Sequence, residues 1–159
     1  MALLTRSGWR TFSEVTFNEF GERGSIDLLA WQPAARALLV DEIKSELGSL
    51  EGTLRSFDIK CRLAIKIAQE RFGWRPVMMG RMLVLPETGV ARRTVERHAD
   101  VLRAALPARS RELRSWVAKP SGNVAGIWFL SSDQPANATR NPSSILRVRR
   151  QRSRSASVD

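Results

Sequence analysis

Ala37-Leu-Leu-Val-Asp-Glu-Ile-Lys44 is the stretch on which the reading of the fold turns. Its unbroken apolar run describes a strand buried on both faces, and the charged residues Asp41, Glu42 and Lys44 crowd its far end. Towards the amino end, Ser25–Trp31 reads as a strand interrupted by a single charge, Asp27, and a short connection containing Pro33 links the two. Thr11–Phe17, with Phe12, Val15 and Phe17 set among Thr and Ser, is another strand, and Glu19–Gly24 is the turn that follows it. Leu3–Gly8 has room for only the last turn or two of a helix.

Towards the carboxyl end, apolar residues at Leu50, Leu54, Phe57, Cys61, Ala64, Ile65, Ala68 and Phe72 recur in steps of three and four. They mark one face of a long amphipathic helix, which Gly73 ends. Val77–Leu85 is the next strand, stopped by Pro86. Strand, long helix and strand together imply a right-handed crossover between parallel strands. A further helix opens at Thr88 or Gly89, carries Ala91, Val95, His98, Leu102 and Ala105 on one face, and closes before Pro107. Ser110–Lys119 reads as a short helix and Val124–Leu130 as a last strand. The pattern is α/β, in one domain over residues 1–131. From 132 to 159 the composition shifts to Ser, Asn, Pro, Ala and Arg, which buries too little apolar surface to order itself, so a disordered Arg-rich tail is expected.

Across 159 residues, 26 Lys and Arg against 16 Asp and Glu give a net charge of +10, a balance that favours a polyanionic partner. Nucleic acid is the partner expected, DNA before RNA. The tail residues Arg147, Arg149, Arg150 and Arg152, and Arg55 on the long helix, are the candidate phosphate contacts. One Cys rules out an intrachain disulfide or a multi-cysteine zinc site, and one His argues against His-based triads and His-rich metal sites. Tyr is absent, which excludes a tyrosine nucleophile. No stretch approaches the length of a membrane span, and Ala2-Leu-Leu4 is too short for a signal-peptide core, so a cytoplasmic location without membrane contact is expected. A homodimer is compatible with the sequence.

Any catalysis must therefore rest on carboxylates, lysine and a metal. Asp27 lies within an apolar strand, where an unpaired carboxylate is costly. Glu42 and Lys44 are two apart, so they leave the same face of their strand, while Ile43 points the other way, towards a core. Residues 28–41 between Asp27 and Glu42 are enough for a hairpin that brings the carboxylates together. Such a pair suits magnesium, and a bound ion activates water and screens a phosphate. Lysine supplies a compact positive charge for the attacking water or the phosphate oxygens. The competing reading of Glu-x-Lys at a strand end is a solvated edge or a simple ion pair.

Phe20-Gly-Glu-Arg-Gly-Ser-Ile-Asp-Leu-Leu-Ala-Trp31 and Leu38-Leu-Val-Asp-Glu-Ile-Lys-Ser-Glu-Leu47 together resemble the active-site hairpin of PD-(D/E)XK nucleases, which include restriction endonucleases and Holliday-junction resolvases. More narrowly, residues 12–131 resemble small bacterial nuclease-like domains, some of them joined to helix-turn-helix regulators. The resemblance implies a restriction-endonuclease-like mixed central sheet flanked by helices, here with a shortened first helix, magnesium or manganese as cofactor, and hydrolysis of phosphodiesters. It makes Asp27 and Glu42 the metal ligands, and Lys44 the base or charge stabiliser. Two departures stand out: the opening helix is truncated and carries no acid, and Ile26 replaces the proline before the aspartate. Glu14, on the first strand, is an accessory candidate as a substitute for that missing acid, and Glu46 and Lys60 are accessory candidates weighed against a loop charge and a solvated helical face respectively. Asp41, His98 and Cys61 read as structural. The rival to an endonuclease is a nucleic-acid-binding module of the same fold, associated with a transcriptional regulator, in which the metal chemistry is weak or lost.

Overall fold

The computed structural model describes residues 2–131; the Arg-rich segment, with Arg147, Arg149, Arg150 and Arg152, lies outside the described residues. The short helix α1 (Ala2–Arg6) precedes a meander of three strands, β1 (Arg10–Glu19), β2 (Glu22–Gln32) and β3 (Ala37–Ile43). The long helix α2 (Leu50–Phe72) leads into β4 (Met78–Pro86), and α3 (Gly89–Arg97), α4 (Ala99–Ala105) and α5 (Ser110–Ala118) precede β5 (Val124–Leu130). The five strands lie in sequence order, antiparallel across β1–β2–β3 and parallel across β3–β4–β5. The fold is thus α/β, a five-stranded mixed sheet flanked by helices, as expected.

Two apolar layers sandwich the sheet. On one face, Leu29, Trp31, Leu38, Val40, Leu83 and Leu85 pack with α2 residues Phe57, Cys61, Ala64 and Ile67, and with Ala91, Leu102 and Leu106. On the other, Leu28, Ala30, Leu39 and Met82 pack with Leu4, Trp9 and the α5 residues Leu113, Trp116 and Val117. β3 is buried on both faces because it is the central strand with helices above and below. The short α1 is held down by Trp9, whose indole N–H donates to Val117 O at 2.9 Å.

Local chemistry sets the ends of α2. Ser49 caps it by accepting from Gly52 N, and Gly73, at φ 67°, closes it in the left-handed region that a side chain disfavours. Past that glycine, Trp74 stacks on Trp31 and Phe72, and Phe12 leans against Phe72 and Trp74, so four rings pin the end of α2 to the hairpin. Three α2 cations hold the turn end of the β1–β2 hairpin: Arg62 pairs with Glu22, Lys66 with Glu19, and Arg71 reaches both Glu19 and Thr16 O.

The structure departs from the periodicity at three places. Ile65 is 42% exposed, whereas Leu63 and Ile67 are buried, so the inward face of α2 is rotated from the one the apolar spacing suggested. The helix expected over 88–105 breaks at His98, where φ is −110° and ψ 25°. Only Ala91 is buried in α3, and so thin a stripe does not hold a helix straight through packing. Ile43, expected to face a core, is 50% exposed because it lies past the cover that α1 and α5 give its side of the sheet.

Candidate active site

A fault in the β1–β2 ladder creates the site. Pairing runs from Arg10↔Trp31 to Glu19↔Glu22 but omits Glu14 and Asp27, and Glu14 sits at φ 53°. Leu29 and Trp31 face α2 on one side of this fault, and on the other side Ile26, Val15 and Phe17 do. Strand alternation therefore reverses at Asp27, as at a bulge that re-aims a side chain. The β2–β3 ladder also stops at Leu28↔Asp41, before Glu42 and Ile43 of β3. Where the next pair would stand, Asp27 Oδ2 accepts from Ile43 N at 2.7 Å, so the carboxylate continues the ladder in place of a backbone carbonyl.

Glu42 occupies the last turn of the β3 pleat on the α2 side and is wholly buried. Lys60 descends on it from α2: its Nζ contacts Glu42 Oε2 and lies 3.2 Å from Asp27 Oδ1. Lys44, just past β3 and anchored by its N–H to Val84 O at 3.0 Å, places its Nζ 2.8 Å from Glu42 Oε1. Lys44 is thus the charge that offsets the burial of Oε1, as Lys60 offsets that of Oε2. Two carboxylates and two ammonium groups thus form a neutral quartet on three elements, with Lys44 (37% exposed) and Asp27 (22%) towards water and Lys60 (11%) beneath. The adjoining Glu42 carboxylate holds Lys44 above the ordinary lysine range, against the opposing effect of partial burial, so this lysine carries its charge across the physiological range.

Asp27, Glu42 and Lys44 are therefore brought together, and Lys60 with them. Lys60 does not lie on a solvated helical face. It falls three residues after Phe57 and four before Ala64, inside the buried arc. A lysine at such a position has to be paired, and that signal was present in the sequence. Glu14 is exposed and accepts from Ser25 Oγ at 3.2 Å, outside the quartet. Glu46 is exposed in the β3–α2 loop, and Arg55 lines an open cleft with Asp58 and Arg62. Asp41 points to the opposite face, is 7% exposed, and is pushed up to about 8 by burial. Burial also pushes the Cys61 thiol up to about 11, which leaves it protonated and a poor nucleophile at neutral pH.

The donor set suits a small hard cation. Magnesium is held by one or two carboxylates and completes its shell with water and phosphate oxygens. Asp27 and Glu42 offer that pair, with the ammonium groups of Lys60 and Lys44 against their oxygens. Among the described residues, no group of three or more His, Cys, Asp or Glu gathers in metal-binding range. None of their helices is long and apolar enough to cross a membrane. No family model, no curated protein and no solved structure matches the chain, so its reading rests on its own residues.

Proposed function

We propose that the chain is a divalent-metal-dependent nuclease that hydrolyses phosphodiester bonds, with DNA the first substrate to test. The observation that carries this reading is Glu42, a fully buried carboxylate beside Asp27 at the end of the strand pair, with Lys44 standing open at the rim. Collecting four charges where desolvation penalises each of them opposes stability, and such arrangements cluster at sites of chemistry. Asp27 and Glu42 would hold magnesium or manganese, which supplies an activated water and screens a phosphate when bound. Lys44, charged and partly exposed, is placed to meet a phosphate oxygen or orient the attacking water. The net charge of +10 draws a polyanion towards it. The mixed sheet and the β2–β3 hairpin agree with the fold that the PD-(D/E)XK resemblance implies.

A second reading is favoured by Lys60, which already fills the space between the carboxylates: the same fold serves as a nucleic-acid-binding module in which Lys60 is a permanent counterion. Incubation with labelled single-stranded, duplex and four-way-junction DNA, in magnesium, manganese or chelator, separates the two. Metal-dependent cutting that is lost in Glu42→Gln supports the nuclease. Salt-sensitive binding without cutting, equal in both proteins, refutes it in favour of the module.

A further inference from the structure

The two carboxylates already share a cation of the chain's own. Lys60 Nζ touches Glu42 Oε2 and stands 3.2 Å from Asp27 Oδ1, so it bridges the oxygens that a divalent ion would bridge. A magnesium-like ion needs those oxygens at about 2.1 Å, and an ammonium group cannot stay within hydrogen-bond reach of both at once. Electrostatics point the same way. The quartet is neutral as it stands, and adding two positive charges to a partly buried cluster that keeps both lysines in place is unfavourable. The lysine stem can move: four methylenes separate the backbone of α2 from the ammonium, and the site opens towards Asp27 and Lys44.

We infer that Lys60 is an internal counterion that a divalent cation must displace, so that the chain restrains its own metal loading. The inference rests on the reading of Asp27 and Glu42 as metal ligands and adds a regulator to it. In the metal-free protein Lys60 holds the two carboxylates together and keeps α2 on the strand pair. In the loaded protein its ammonium swings out towards the rim, where it adds to the positive charge facing a phosphate.

Manganese binding is the direct test, read on the full chain as the loss of the free-ion electron paramagnetic resonance signal, with no reliance on cutting. Lys60→Met removes the competitor and keeps the stem's bulk, and Lys60→Arg keeps the charge. Because charge-assisted hydrogen bonds are among the stronger interactions in proteins, Lys60→Met should bind manganese about tenfold tighter or more than the parent. Lys60→Arg should stay near the parent. Parent binding with no gain in a folded Lys60→Met overturns the inference and leaves the metal site standing. No binding by either folded protein overturns the metal site and the inference together. If Lys60→Met folds only with metal, the readout becomes the rise in melting temperature on adding manganese. A rise larger than the parent's supports displacement, and an equal or smaller one overturns it.

Discussion

Asp41→Asn puts a number on the carboxyl that the sheet buries on its other face. Asp41 is 7% exposed, its Oδ1 has no hydrogen-bond donor, and burial pushes its pKa up to about 8, with the charge on Asp27 adding to the effect. The folded pKa is raised, so the stabilising contribution is fully present below the unfolded value of about 4 and is lost as pH rises towards 8. Each unit is worth about 1.36 kcal/mol, so a gap of about four units sets a ceiling of about 5 kcal/mol. Relaxation and water penetration bring the expected loss to about 2–4 kcal/mol between pH 5 and pH 8.5. Asparagine keeps the shape and cannot ionise. Its cost, an amide with incomplete partners, is about 1–3 kcal/mol and independent of pH. Urea unfolding of both proteins across that range isolates Asp41, because other titrations cancel in the difference. The variant should gain on the parent by about 2–4 kcal/mol as pH rises to 8.5. Parallel stability curves would refute the reasoning, since Asp41 would then ionise in the fold without penalty.

Two further outcomes are expected. A Cβ at Gly126 would fall on the carbonyl oxygen of Ala108, which bridges to that residue, whereas Gly48 faces open space. Gly126→Ala should therefore cost about 3 kcal/mol or more and Gly48→Ala under about 0.5 kcal/mol, compared by thermal melts. If the chain is the nuclease proposed, Lys44→Met should bind manganese at least as tightly as the parent while single-turnover cutting falls by about 10²-fold. An undiminished rate would remove Lys44 from the chemistry.

Most of the architecture is legible in the sequence because it rests on two strong periods. The unbroken apolar run of β3 and the three-and-four spacing of α2 place the central strand, the crossover helix and the hairpin that unites Asp27 with Glu42. The missed parts share one cause, which is that spacing gives a period more readily than a phase. Counting Ile65 rather than Leu63 and Ile67 as inward turned the face of α2 and moved Lys60 to its solvated flank, although Lys60 lies in the buried arc. Strict alternation likewise could not foresee the reversal at Glu14 and Asp27, where a non-glycine residue takes a positive φ. Ile43 was assigned to a core by alternation alone, but how far α1 and α5 extend over the sheet decides its exposure.

The ring stack at the end of α2 gives the protein an optical reporter for its own site. Trp31 and Trp74 lie 5.4 Å apart and 6° from parallel, and rings held in a fixed tertiary setting of this kind give near-ultraviolet circular dichroism that is lost when the packing is lost. Trp31 shares β2 with Asp27, and Trp74 follows the helix that carries Lys60. That signal therefore reads whether helix and hairpin remain docked. A ligand that moves only the Lys60 side chain leaves it intact, while one that lifts α2 from the sheet erases it, so a single spectrum separates a local rearrangement from an opening of the fold.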